Sequence, residues 1–107
     1  MNGNEFGMAL ISAPSDKAER IARAIVERKL AACAQITPEV TSLFWWKGEL
    51  ESDRERLLFL KTERSFLNGI QELLKEIHPY EVPELIFLPI SGGSPEYLAW
   101  ISESLKA

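Results

Sequence analysis

The chain has 107 residues, a formal net charge of −4 and 46% apolar residues. This length suits one domain, so we expect residues 1–107 to form a single unit. Charged residues make up 26% of the chain, with both signs interspersed, which argues against disorder and against a basic surface for nucleic acid. No apolar run approaches the roughly 20 residues of a membrane-spanning helix, and the N-terminal residues lack a signal-peptide pattern. We therefore expect a cytoplasmic protein with no membrane partner.

The first two predicted elements are a strand and a helix. Residues 5–13 are mostly small and apolar and end at Pro14, which predicts a strand buried on both faces. Ser15 or Asp16 is then expected to cap a helix. The apolar stripe of that helix has helical spacing: Ala18, Ile21, Ala22 and Ile25.

A long hairpin is predicted next. Residues 31–46 and 49–63 have β-strand character, and Lys47-Gly48 forms the turn between them. Pro38 cannot donate to a strand ladder, so it should lie at an edge or a bulge where the first arm bends. Arms of about 15 residues span roughly 50 Å, whereas a 14-residue helix spans about 21 Å. The tip of the hairpin should therefore extend beyond its own domain.

A second helix, a short strand and a third helix complete the chain. Ser65 is expected to cap the second helix, which should end at His78 because Pro79 disfavours helical geometry before it. Its apolar stripe consists of Phe66, Ile70, Leu73, Leu74 and Ile77. Residues 84–90 predict a strand, and after the Gly92-Gly93 break Ser94 and Pro95 should begin the last helix.

The element order β-α-β-β-α-β-α predicts an α+β fold, a ferredoxin-like sandwich of one sheet and one helical layer with an extra C-terminal helix. One sheet face would then lack helices, yet residues 57–60 and 85–88 are apolar at every position. The last helix or another subunit must cover that face. We expect a closed homo-oligomer with four aromatic residues at its interfaces: Phe44, Trp45, Trp46 and Trp100.

The chemistry-bearing residues of the chain are few. His78 is its only histidine and Cys33 its only cysteine. His78 is interpreted either as a structural residue at a helix end, as a metal ligand in a cleft between subunits, or as a general acid or base. Cys33 lies among alanines, so we interpret it as a small buried apolar residue rather than as a thiolate ligand. Lys61 is either a surface lysine or the partner of an anion or a carboxylate.

Three segments together resemble the CutA divalent-cation tolerance family: residues 41–50 (TSLFWWKGEL), Lys61-Thr62 and residues 78–84 (HPYEVPE). Residues 29–34 and 95–101 also resemble this family, so the resemblance covers nearly the whole chain. It implies a ferredoxin-like subunit similar to PII signalling proteins. It also implies a trimer with inter-subunit sheets between hairpins, and a role in tolerance of copper and other divalent cations.

The resemblance implies no required cofactor, with copper or another divalent cation as an optional ligand. The candidate ligands are His78, Glu84 and Cys33, and the candidate inter-subunit cleft comprises Lys61, Glu63, Tyr80 and Glu81. Some family members carry a cysteine and a second histidine where this chain has Ile11 and Ile77, which weakens the copper interpretation. No catalytic triad, metal-ligand set or phosphate loop is present, so we expect no enzyme. The alternative is a PII-like sensor or scaffold that binds a small anionic metabolite or a protein partner.

Overall fold

The computed structural model describes residues 5–107 as one antiparallel sheet with helices on its faces. The strands are β1 (Phe6–Pro14), β2 (Cys33–Ile36), β3 (Val40–Trp46), β4 (Glu49–Glu63) and β5 (Ile86–Pro89). The helices are α1 (Ala18–Glu27), α2 (Leu67–Ile77) and α3 (Pro95–Ser104), and a short 3-10 turn, Arg64–Phe66, precedes α2. The order of elements matches the predicted fold, except that the first hairpin arm is two strands.

The sheet order is β2-β4-β1-β5, with β3 also pairing with β4. β1 pairs with β4 from Phe6↔Glu63 to Pro14↔Glu55 and ends there. β3 pairs with the rest of β4, from Val40↔Glu55 to Trp46↔Glu49. The hairpin therefore projects beyond the end of β1, as the strand lengths predicted.

The main core lies between the sheet and helices α1 and α2. Alternate residues of β1 and β4, such as Ala9, Ile11 and Leu58, are fully buried there. The intervening residues Met8 and Leu10 face the other way and are half-buried, so β1 is not buried on both faces as predicted. Burying several aliphatic side chains at about 1.5 to 3 kcal/mol each drives this packing.

The face of the sheet opposite α1 and α2, here called the open face, is only partly covered by α3. Ser102 of α3 donates to the buried carboxylate of Glu63, and Ile101 is fully buried beside it. At the other edge, Ile86 and Leu88 remain 45% and 42% exposed. The third helix thus covers one end of the open face and leaves an apolar area at the other.

Two predicted helix caps are wrong. Lys17 is the N-cap of α1, and Ser15 instead donates its hydroxyl to Glu39, 2.6 Å away. Ser65 lies inside the 3-10 turn, so Phe66 is the N-cap of α2. At α3 the prediction is confirmed, because the Ser94 side chain accepts from the Tyr97 amide.

The hairpin features agree with the sequence. The first arm is interrupted at residues 37–39, around Pro38, where the chain leaves the ladder. At the tip, Lys47 and Gly48 both have positive φ, 51° and 83°, as a tight two-residue hairpin turn requires. The predicted strand over residues 84–90 is shorter in the structure, because pairing with β1 extends only from Ile86 to Pro89.

Gly7 gives a direct test of the packing at the β1–β5 pairing. A Cβ atom at Gly7 would overlap the Phe87 ring, and the Arg64 guanidinium lies 4.5 Å from the centroid of that ring. Because the ring is held in this way, Gly7→Ala should lower the free energy of unfolding by about 1 to 3 kcal/mol. Urea unfolding at equal subunit concentration measures the change. Gly92→Ala, which adds a methyl group in open space, is the control and should leave stability nearly unchanged.

Candidate functional site

The segment 78–84 connects α2 to β5 and is fixed by the histidine ring at its start. His78 is the C-cap residue of α2 and is only 7% exposed. Its Nε2 lies 2.8 Å from the carbonyl oxygen of Ser12, and its Nδ1 accepts from the Tyr80 amide at 3.1 Å. A carbonyl can only accept and an amide N–H can only donate, so Nε2 is the donor and Nδ1 the acceptor. Both nitrogens have protein partners, and a metal ion would have to displace one of them.

Tyr80 joins the same segment to the base of the hairpin. Its hydroxyl donates to Glu55 Oε2 at 2.6 Å, and Glu55 is only 4% exposed. Burial, followed by the hydrogen bond to Glu55, raises the pKa of Tyr80 above the ordinary tyrosine value. The phenol therefore stays protonated and holds the carboxylate at the point where the hairpin leaves β1.

A second set of contacts holds the hairpin from the bend at residues 37–39. Arg54 donates to Glu39 at 2.9 Å, and Ser15 donates to the other oxygen of that carboxylate. These hydrogen bonds, that of Ser15 first, lower the pKa of Glu39. In addition, the Leu57 amide donates to Thr37 Oγ1 at 2.9 Å, which replaces the ladder hydrogen bonds lost around Pro38. The hairpin is thus anchored at its base on both sides.

A groove of about 940 Å³ lies between the overhanging hairpin and residues 79–84, and we call it the hairpin groove. Its aromatic wall consists of Phe44, Trp45, Trp46 and Tyr80. Five carboxylates line it: Glu51, Asp53, Glu55, Glu81 and Glu84. No lysine, arginine or histidine is among the described residues that line the groove. The groove therefore suits a cationic occupant and not an anionic one.

The predicted site residues fall into separate places. Glu81, Glu84 and Tyr80 line the hairpin groove, and His78 lies at the start of its connecting segment. In the sheet, Cys33 lies opposite Lys61 on the neighbouring strand, and Lys61 lies opposite Met8 on the next. His78, by contrast, is hydrogen-bonded to Ser12. Ser12 lies four positions along the strand from Met8, about 13 Å away, so Cys33 cannot share an ion with His78 within one subunit.

The remaining predicted cleft residues have partners of their own. Lys61 donates to Gln35 at 2.8 Å, and Glu63 accepts from Ser102. Cys33 is half-buried, with its sulfur 3.8 Å from the Tyr97 hydroxyl. Across residues 5–107, no group of three or more histidine, cysteine, aspartate or glutamate side chains is arranged to hold a metal ion.

The aromatic residues predicted at interfaces are largely accessible in the subunit. Trp45 and Trp46 are 73% and 38% exposed, whereas Phe44 is half-buried against the groove. Trp100 is 45% exposed and stacks on Tyr97 with the ring centroids 5.5 Å apart. Such large exposed aromatic surfaces are typical of surfaces that another molecule covers.

The sequence-based interpretation missed the carboxylates of β4. Glu49, Glu51 and Asp53 occupy alternate positions of a strand, so they share one face, and Glu55 continues the series. The opposite face of the same segment carries Leu50, which pairs with Trp45. The alternation of acidic and other residues over 49–55 is visible in the sequence and could have indicated this acidic face.

The raised pKa of Tyr80 predicts how stability responds to alkali. A tyrosine whose pKa is raised on folding stabilises the protein fully below its unfolded pKa of about 10, and the effect is lost as pH rises further, because the unfolded chain loses its proton first. The free energy of unfolding should therefore fall above that pH, and less steeply in Tyr80→Phe. Urea unfolding at a series of pH values measures both slopes. Equal slopes would show that Tyr80 is not the responsible group.

A family model described as "CutA1 divalent ion tolerance protein" matches residues 8–104 of this chain. The chain is 48% identical over 96 residues to the Protein CutA homolog of Xenopus laevis, covering 89% of this chain and 64% of that protein. It is 45% identical over 98 residues to the divalent-cation tolerance protein CutA of Thermus thermophilus, covering 91% of this chain and 95% of that one. The chain thus spans less than two thirds of the animal relative and nearly all of the bacterial one.

Solved structures agree with this assignment. The CutA1 crystal structure from Oryza sativa superimposes with a TM-score of 0.91 at 39% identity and covers 95% of this chain and 94% of that one. The Thermus thermophilus structure superimposes with a TM-score of 0.89 at 44% identity and covers 92% of this chain and 97% of that one. The fold is therefore ferredoxin-like, as predicted. Sequence and structure together place this chain in the CutA1 divalent ion tolerance family.

Proposed function

We propose that the chain acts as a non-enzymatic homotrimer in divalent-metal tolerance in the cytoplasm, with a cation bound in the hairpin groove and completed by ligands of a neighbouring subunit. The observation that carries this proposal is the groove itself, where five carboxylates and no basic side chain among the described residues face one cavity. Family membership supports the general role in divalent ion tolerance.

The proposed cation ligands are Glu81 and Glu84. Both carboxylates line the groove, and neither forms an ion pair or side-chain hydrogen bond within residues 5–107. Most of the other candidates are already bonded, His78 through both nitrogens and Glu55 through Tyr80. Two carboxylates are fewer ligands than a divalent ion needs, so a second copy must supply the rest.

The proposed trimer rests on two apolar surfaces that a lone subunit leaves exposed. One is the uncovered part of the open face, at Ile86 and Leu88. The other is the hairpin tip, where Leu43, Trp45 and Leu50 are 70%, 73% and 63% exposed. Ile86 lies opposite Leu10 and Leu88 opposite Met8, which gives a continuous apolar face. Copies of the chain that pack open face to open face would remove this surface from water.

No membrane partner is included in the proposal. Among residues 5–107, no helix is long and apolar enough to cross a membrane. The proposed cytoplasmic location is compatible with the single free thiol, Cys33, which a reducing compartment would keep reduced.

The assembly is tested by light scattering of the purified protein. We expect a molar mass three times the 12.1 kDa of the subunit. The double variant Ile86→Lys/Leu88→Lys should be lighter, because it places charges on the open face. Asn68→Lys/Gln71→Lys makes the same charge change on α2 and should keep the trimer. A wild-type mass equal to one subunit would contradict the proposed assembly.

Metal binding is tested by calorimetric titration of the metal-free protein with manganese, zinc and copper ions. We expect binding of at least one of these ions, weakened about tenfold or more in Glu81→Gln/Glu84→Gln, because the variant removes two charged oxygen ligands. Glu19→Gln/Glu96→Gln has the same charge change outside the groove and should bind as the wild type does. Unchanged affinity in the groove variant would remove Glu81 and Glu84 from the site.

A further inference from the structure

A second cavity, of about 370 Å³, lies between α2 and residues 81–85, and we call it the α2 pocket. Its volume falls within the roughly 300 to 1,000 Å³ that is typical of small-molecule sites. Residues 81–83 form a wall of both this pocket and the hairpin groove. The apolar residues proposed above for contacts between copies, at the hairpin tip and at Ile86 and Leu88, do not line it. The α2 pocket is therefore separate from the proposed surfaces of assembly.

Most of the surface of the α2 pocket is apolar. Leu67 and Leu74 lie two turns apart on one side of α2, the first half-buried and the second buried. Leu85 is half-buried on the opposite side, and Val82 is 68% exposed beside it. Pro83 also lines the pocket, and its fixed φ stiffens this wall. An apolar group of a small ligand would remove this surface from water.

Two side chains of opposite charge line the same pocket, Lys75 from α2 and Glu81 from the connecting segment. Within residues 5–107, Glu81 forms no ion pair, so the two charges are not joined to each other. Lys75 pairs with Glu72 at 3.2 Å, and these side chains are 64% and 61% exposed. Exposed pairs of this kind contribute little to stability, so Lys75 can turn to a ligand. Gln71, one turn before Lys75, adds an amide to the same side.

We propose that the α2 pocket binds a free amino acid with an aliphatic side chain. The ammonium group of the amino acid pairs with Glu81, and its carboxylate pairs with Lys75 and the Gln71 amide. The aliphatic side chain packs on Leu67 and Leu74. A ligand with a single charge would leave one of the two protein charges without a partner, and a ligand without an apolar group would leave the leucines in water. A zwitterion with an aliphatic side chain satisfies all three features of the pocket.

This inference goes beyond the metal role proposed above and does not depend on it. Glu81 lines both cavities, so the two proposals share one carboxylate. Lys75 and Gln71 line the α2 pocket and not the hairpin groove. Lys75→Gln therefore tests the amino-acid site alone, and this variant should bind metal ions as the wild type does.

The test is calorimetric titration of the metal-free full chain with L-leucine. We expect saturable binding that is about tenfold weaker or more in Lys75→Gln and in Glu81→Gln, because each variant removes one charged partner of the ligand. Lys106→Gln is the matched control, since Lys106 also has an exposed glutamate partner, Glu103, three positions away. It should bind leucine as the wild type does. Unchanged affinity in Lys75→Gln, or no saturable binding of leucine at millimolar concentrations, would overturn the proposal.

Three further ligands separate the contributions of the two charges and of the apolar surface. Leucinamide lacks the carboxylate, isocaproate is leucine without its amino group, and glycine lacks the aliphatic side chain. We expect each to bind the wild type about tenfold or more weakly than leucine does, because each leaves part of the pocket without a partner. Binding of any of the three as tightly as leucine would contradict the proposed arrangement.

Discussion

β4 has 15 residues and β1 has nine, and this mismatch in length controls most of what is distinctive in the structure. Where β1 ends at Pro14, β4 continues, and among the described strands only β3 pairs with it there. A two-stranded hairpin is at best marginally stable in water, so the projecting part needs support from its base or from other molecules. The hairpin groove and the exposed tip both follow from this projection.

Side chains at the base of the hairpin supply part of that support, and these side chains are not part of the hydrophobic core. Tyr80 and Glu55 bind on the groove side, and Arg54, Glu39 and Ser15 bind at the bend. His78 positions Tyr80 through its Nδ1, which explains why the single histidine is buried and bonded at both nitrogens. The histidine therefore has a structural role at the base of the hairpin.

Much of this architecture could be predicted from the sequence because it depends on local periodicity. The apolar stripes of α1 and α2, the Lys47-Gly48 turn and the break at Pro38 each follow from spacing or from backbone geometry. The outcomes at Ser15 and Ser65 could not be predicted from residue spacing, one because of a tertiary contact and the other because of a local turn. Glu39, distant in sequence, binds Ser15, and a 3-10 turn shifts the start of α2 past Ser65.

The candidate site was harder to predict than the fold for the same reason. Its segment, residues 78–84, was evident from the histidine and prolines, but the bonding of His78 to Ser12 is a contact across 66 residues. Likewise, that Glu81 and Glu84 share a groove with Glu51 and Asp53 depends on how far the hairpin projects. The sequence indicated Glu81 and Glu84 but not the carboxylates of β4, and the relative placement of the strands determined which of these groups share the groove.

The central claim is that the projecting hairpin is ordered by contacts between subunits as well as by its base. Amide hydrogen exchange over residues 40–54 tests it directly, in the wild type and in the non-associating variant Ile86→Lys/Leu88→Lys. The account predicts slow exchange in the assembled protein and much faster exchange in the variant, while residues 57–62 stay protected in both. Equal protection of residues 40–54 in both proteins, or fast exchange in both, would contradict it.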